Sequence, residues 1–166
     1  MKQLPELVIT DVDGVLTDGG MYYDQTGNEW KKFNTSDSWG VAYCKQLNIK
    51  TAIITGEDTA IVKRRAEKLK IDFCFMGVKN KVQIADELRL KLGLEWNQIA
   101  FIGDDINDIK LLALVGWSGC PANAPDYIKE KVQHTTTKKG GDGAFRDFIE
   151  YLLGKELLTS VIAKLA

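Results

Sequence analysis

Short apolar runs recur along the chain, separated by stretches in which apolar residues return at helical spacing. ELVIT (6–10) opens the series, and KTAIIT (50–55), DFCF (72–75), QIAFIG (98–103) and VGWSG (115–119) follow. Each run is brief, apolar on both faces and rich in Ile, Val or Phe, as parallel strands covered on both sides require. The segments between them carry helix-start residues. Asp58-Thr59 precedes a stretch whose Ile61, Val62 and Leu69 share a face, and Asn80 precedes one with Val82, Ala85, Leu88 and Leu92 in register. Ser36-Asp37 begins a third helix, and a fourth is expected over 124–132. Strands alternating with helices predict a doubly wound, Rossmann-like α/β fold with a parallel sheet, built as one domain over residues 1–166.

One segment departs from this alternation. GMYYDQTGNEWKKFN (20–34) reads as a β-hairpin with strands at 20–24 and 28–33 around a turn at Gln25-Thr26-Gly27. A two-stranded hairpin is marginal alone, and Met21, Tyr22, Tyr23, Trp30 and Phe33 would leave a wide apolar area in water. The hairpin is therefore expected to pack on something, a second copy of the chain being one candidate. From about residue 139 a glycine-rich segment, KGGDGAFRDFIE, reads as a tail. Its Gly140, Gly141 and Gly143 lack the strand–helix context of a dinucleotide site, and a tail closing over a neighbouring active site is expected instead.

Composition narrows the class. Of 166 residues 45% are apolar and 27% charged, with formal net charge −1. That near-neutral balance argues against nucleic acid as a partner, and no apolar run reaches the roughly 18 residues of a membrane span. Pro5 and Glu6 interrupt the N-terminus before any secretory apolar stretch. Cys44, Cys74 and Cys120 are odd in number and form no CxxC pair, so they read as core thiols of a cytoplasmic protein. His134, the only histidine, reads as a surface bystander, and Trp39, Trp96 and Trp117 as packing.

Polar clusters fall where the predicted strands end, the place where open α/β sheets bind ligands. Asp11 and Asp13 follow the first strand, Thr55-Gly56-Glu57 the second and Gly103-Asp104-Asp105 the fourth, with Asp108 just beyond. Lys81 opens the helix after the third. So many acids in one crevice call for a cation. A few carboxylates completed by water and substrate phosphate suit Mg²⁺, with Asp11 and Asp104 the preferred side-chain ligands. One aspartate there can attack phosphorus, while a carboxyl two residues on lies on the same side of an extended chain and can move the proton. The Thr55 hydroxyl and nearby backbone N–H groups can hold phosphoryl oxygens, and Lys81 can neutralise their charge.

DVDGVLTDG, ITG, a lone downstream lysine and GDDINDI, in that order, resemble the four motifs of the haloacid-dehalogenase superfamily of aspartyl-phosphate phosphatases. The resemblance implies that Asp11 is nucleophile and Mg²⁺ ligand. Asp13 is then the general acid/base and ligates the metal through its backbone carbonyl. It further implies Thr55, with Gly56 and Lys81, as phosphate-binding, Asp104 as metal ligand, and Asp108 with Asp105 as the groups that orient metal waters and lysine. Only 41 residues separate Asp13 from Thr55 and 25 separate Thr55 from Lys81, too few for a cap domain. The chain then resembles the capless tetrameric phosphatases of 2-keto-3-deoxy sugar acid phosphates, with KKFNTSDSWG (31–40) and GGDGAFRD (140–147) as further matching segments. Asp147 replaces the glutamate usual in the latter. A homotetramer formed through the hairpin is implied, its subunits supplying walls for the uncapped crevice.

Two substrates fit that resemblance, 3-deoxy-manno-octulosonate 8-phosphate (the KDO ester) and 2-keto-3-deoxynononate 9-phosphate (the KDN ester). Glu57, where the octulosonate enzymes typically have arginine, followed by Arg64, Arg65 and Lys68, is similar to the nononate enzymes and favours the nine-carbon acid. The carboxylate suits sugar hydroxyls and the cations suit the substrate carboxylate, with Arg65 and Lys68 favoured on Glu57's side. A basic helical face is also commonly just solvated. Readings from other classes are a phosphoreceiver and a non-catalytic interaction domain. Receivers place the lysine last, whereas here Lys81 precedes Asp104, and the intact set of acids speaks against the interaction domain.

Overall fold

The computed structural model describes residues 3–166. In chain order the elements are β1 (Leu7–Thr10), β2 (Tyr22–Tyr23), β3 (Glu29–Trp30), α1 (Asp37–Gln46), β4 (Lys50–Ile54), α2 (Ala60–Leu69), β5 (Phe73–Phe75) and α3 (Lys81–Leu92). They continue with β6 (Ile99–Ile102), α4 (Ile109–Leu112), β7 (Trp117–Cys120), α5 (Asp126–Lys129), β8 (His134–Thr135) and α6 (Ala144–Leu165). Six strands form one sheet in the order β5-β4-β1-β6-β7-β8, and every pairing is parallel.

Alternation within the central strands sends side chains into two cores. Leu7 and Ile9 of β1, Ala52 and Ile54 of β4, and Ile99 and Phe101 of β6 meet Ala85, Leu88 and Leu111 on one face. Val8, Ile53, Ala100 and Ile102 meet Val41, Val62, Phe145 and Phe148 on the other. A strand buried on both sides can carry no polar periodicity, which is why its sequence reads as an unbroken apolar run. The helix starts follow their caps: the Thr59 hydroxyl accepts the Val62 N–H at 3.4 Å and the Asn80 side chain accepts that of Gln83 at 3.3 Å.

Three features differ from the sequence expectation. The hairpin strands are only two residues each, β2 against β3, with Thr17 and Phe33 adding one bridge at the base. The helix expected over 124–132 is a single turn, α5, followed by the short edge strand β8, which pairs with β7. The segment read as a tail joins the fold: Phe145, Phe148, Ile149, Leu152 and Leu153 of α6 are buried, and Asp37 at the start of α1 accepts the Arg146 N–H at 3.1 Å. Gly154 breaks α6 with a non-helical conformation, φ 68°. Gly141 donates to the Val15 carbonyl at 3.1 Å, so the glycine loop lies against this chain's own β1 loop.

Candidate active site

The chain crosses the sheet from one side of β1 to the other, and the carboxyl ends of β1, β4 and β6 open onto a single crevice at that reversal. Backbone pairing continues just past the strand ends. Asp11 N–H donates to the Ile102 carbonyl at 3.0 Å, Thr55 N–H to that of Phe75 at 3.0 Å and Gly103 N–H to that of Gly119 at 3.2 Å. The first residue beyond each strand is thereby held as firmly as the strand. The cavity there has a volume of about 280 Å³, and its lining includes Asp11, Asp13, Thr55, Gly56, Glu57, Asp104, Asp105 and Asn107.

Beneath the cavity floor lies Lys81, 3% exposed. Its Nζ is 2.9 Å from Asp11 Oδ2 and 2.6 Å from Asp108 Oδ1. Burial works against its ammonium, but the charges of Asp11 and Asp108 outweigh that and raise its pKa. Both Asp108 oxygens are engaged, since its Oδ2 accepts the N–H groups of Asp104 and Asp105 at 2.9 and 3.2 Å. It therefore fixes both the Asp104 loop and the lysine. Gly103 and Gly14 leave the room this needs: a Cβ on Gly103 would strike the Asp108 carboxyl, and one on Gly14, whose φ is +81°, would strike that of Asp104.

The acids are crowded. Carboxylate oxygens of Asp11, Asp104 and Asp108 lie within 4.8 Å of one another. Burial, partly offset by Lys81 and reinforced by Asp108, pushes Asp11 up to about 6. Burial together with Asp11, Asp108 and Asp105 pushes Asp104 up to about 8. Two carboxyls held this far above their ordinary range mark a site short of positive charge. Asp11 and Asp104 both face the cavity, and a hard divalent cation between them satisfies the donor set. The residues present fit Mg²⁺.

Asp13 lines the cavity beside them. Its Oδ1 accepts Thr17 Oγ1–H at 3.2 Å and Lys31 Nζ–H at 2.8 Å, while Oδ2 is buried with no partner among the described residues. Lys31 reaches in from just past β3, its side chain 2% exposed and also 3.5 Å from Glu29. Burial opposes its charge, but Asp13, Glu29 and Glu57 more than compensate and its pKa is raised. Lys31 was not among the site residues expected from the sequence. The available signals were its place at the head of the 31–40 segment and the strand alternation: Trp30 and Lys32 are exposed, so Lys31 between them points in.

Arg64, Arg65 and Lys68, expected to bind substrate, do not line this cavity within the single chain. Arg64 and Lys68 are exposed on α2. Arg65 turns to the hairpin base, where its Nη2–H donates to the Asn34 carbonyl at 2.7 Å and its guanidinium lies 5.3 Å from the centre of the Phe33 ring. The helical period rather than the chemistry decides this, because Arg65 shares a face with the buried Val62 and Leu69.

A family described as haloacid dehalogenase-like hydrolase matches residues 77–147. The 3-deoxy-D-manno-octulosonate 8-phosphate phosphatase KdsC of Haemophilus influenzae is 38% identical over 156 residues, 94% of this chain and 87% of that protein. Among solved structures, the Moraxella catarrhalis 3-deoxy-D-manno-octulosonate 8-phosphate phosphatase, in complex with magnesium, phosphate and KDO, superimposes with TM-score 0.93. It is 35% identical and the match covers 99% of this chain and 95% of that one. The cobalt-bound form of the Haemophilus influenzae phosphatase gives 0.86 at 38% identity, covering 91% and 88%.

Proposed function

This chain belongs to the haloacid-dehalogenase-like phosphoric monoester hydrolases, and from that premise we propose that it releases phosphate from a 2-keto-3-deoxy sugar acid phosphate with Mg²⁺ as cofactor. The observation that carries the reading is the placement of Asp11, Asp13, Thr55 and Asp104 around one cavity with Lys81 beneath Asp11. Asp11 attacks phosphorus, its carboxylate forming a bond to phosphorus as the P–O bond to the sugar breaks. The proton held by Asp13 passes to the departing alkoxide. Asp13 then takes a proton from water as the water oxygen attacks the aspartyl-phosphate, freeing Asp11 and inorganic phosphate. Thr55, Gly56 and Lys81 bind phosphoryl oxygens, Lys81 also offsets negative charge on Asp11, and Asp108 holds Lys81 in place. Asp11 and Asp104, with the Asp13 backbone carbonyl, would hold Mg²⁺, which would supply charge neutralisation and orient the phosphoryl group.

The eight-carbon octulosonate 8-phosphate is the first substrate reading, because the relatives described above are named for it. This reverses the preference for the nononate that Glu57 suggested. The nononate 9-phosphate stays as second reading on one observation, that the Glu57 carboxylate lines the cavity. Measuring kcat/KM for both esters side by side decides between them. Glu57→Arg should move the ratio toward the octulosonate, and an unchanged ratio removes Glu57 from specificity. Activity on neither ester, with activity on other monoesters intact, would discard the sugar-acid class.

The wild-type assembly is proposed to be a homotetramer of this cytoplasmic enzyme, joined through the hairpin. Arg64 and Lys68, exposed on α2, keep their proposed role in binding the substrate carboxylate.

A further inference from the structure

We infer that Lys31 is a positioning residue that clamps the Asp13 carboxyl from the hairpin, so that the hairpin sets the orientation of the group that moves the proton. The inference rests on the phosphatase reading above and deepens it. A lysine ammonium is costly to bury unless it is paired, yet the Lys31 side chain is almost wholly withdrawn from solvent and spends that burial on Asp13 and Glu29. The contact joins residues 18 positions apart. Its partner oxygen, Oδ1, accepts a second hydrogen bond, from Thr17. The Thr17 hydroxyl is itself placed by the N–H groups of Gly14 and Gly19 at 3.3 and 3.2 Å. Two donors arriving from different segments on one oxygen fix both the position and the rotation of a carboxyl, where one would leave it free to swing. Lys31 does not line the cavity, so it acts through Asp13 and not on the phosphoryl group.

The clamp matters only where proton delivery limits the rate. An aryl ester with a good leaving group departs with little help, whereas a poorer leaving group needs the proton from Asp13 in the transition state. The test compares wild type, Lys31→Met and Lys31→Arg, saturated with Mg²⁺, on p-nitrophenyl phosphate and phenyl phosphate. For Lys31→Met the loss in kcat on phenyl phosphate should exceed the loss on p-nitrophenyl phosphate by about tenfold or more, a fraction of the full general-acid effect. KM should change little, and Lys31→Arg should recover most of the difference.

Equal losses on the two esters would overturn the inference, as would a rise in KM alone, which would make Lys31 a substrate-binding group. Thermal melting of each variant separates these results from misfolding. Should Lys31→Met not fold, Lys31→Gln carries the same comparison. The aryl esters do not depend on which sugar acid is physiological, so failure of the substrate reading leaves this test intact. Wild-type protein inactive on all monoesters would overturn both.

Discussion

Lys81 and Asp108 meet at 2.6 Å where both side chains are buried, across 27 residues of sequence. The pair stands under the crevice as a single fixed positive end facing Asp11, and Asp108 uses its remaining oxygen to hold the Asp104 loop. One contact thus ties the start of α3 to the loops after β1 and β6. Breaking it should disturb both stability and chemistry.

Lys81→Met removes the cation and leaves three acids together. Loss of one partner from a buried ion pair costs about 3–5 kcal/mol, so urea unfolding should report a destabilisation of that order and turnover should vanish. A variant as stable as wild type would show that the lysine is not needed to hold the acids.

Asp11→Asn separates the two effects. The substitution removes the attacking oxygen and also a carboxylate that burial disfavours. Phosphate release should fall to background while Tm stays within about 5 °C of wild type. Rapid quenching with labelled substrate should trap phosphorus on wild type and none on the variant. Labelling of the variant would move the nucleophile elsewhere.

The raised acids give a sign to the pH dependence. Asp11 titrates at about 6 and Asp104 at about 8 in the folded chain, against about 4 for a carboxylate in the unfolded chain. Between those values the unfolded chain has already released protons that the folded chain retains. Metal-free stability therefore falls as pH rises from about 4 to about 8 and levels off above. Mg²⁺ must displace those protons, so its stabilising effect should grow over the same interval. Melting curves with and without Mg²⁺ across this range check the prediction, and a gain in Tm independent of pH would contradict it.

The hairpin exposes Met21, Tyr22, Tyr23 and Trp30 by 42–61%, more contiguous apolar surface than two paired residues per strand can sustain in water. Light scattering should find an oligomer at micromolar concentration. Met21→Lys combined with Tyr23→Asp should reduce it to a smaller species while secondary structure is kept. A monomeric wild type would refute the role given to the hairpin.

Much of this arrangement was legible along the chain because it depends on neighbours in sequence. A strand buried on both faces must be apolar throughout, and the polar residues that end it must then lie at the carboxyl edge of the sheet. That reasoning, with the spacing of Asp11, Asp13, Thr55, Lys81 and Asp104, was sufficient for the sheet, the crevice and the acids within it. Contacts made across long separations were not legible. Lys31 was only the first residue of the 31–40 segment and part of a sticky hairpin until the fold brought it against Asp13, and nothing local showed that Arg65 would lie over Phe33. Residues 144–165 read as a tail because glycines precede them, yet Phe145, Phe148 and Leu152 complete one of the two cores. Local pattern determined which residues could serve as strand, cap or acid. Tertiary packing alone decided which charges were stripped of water and set against each other, since burial and pairing are properties of the assembled chain.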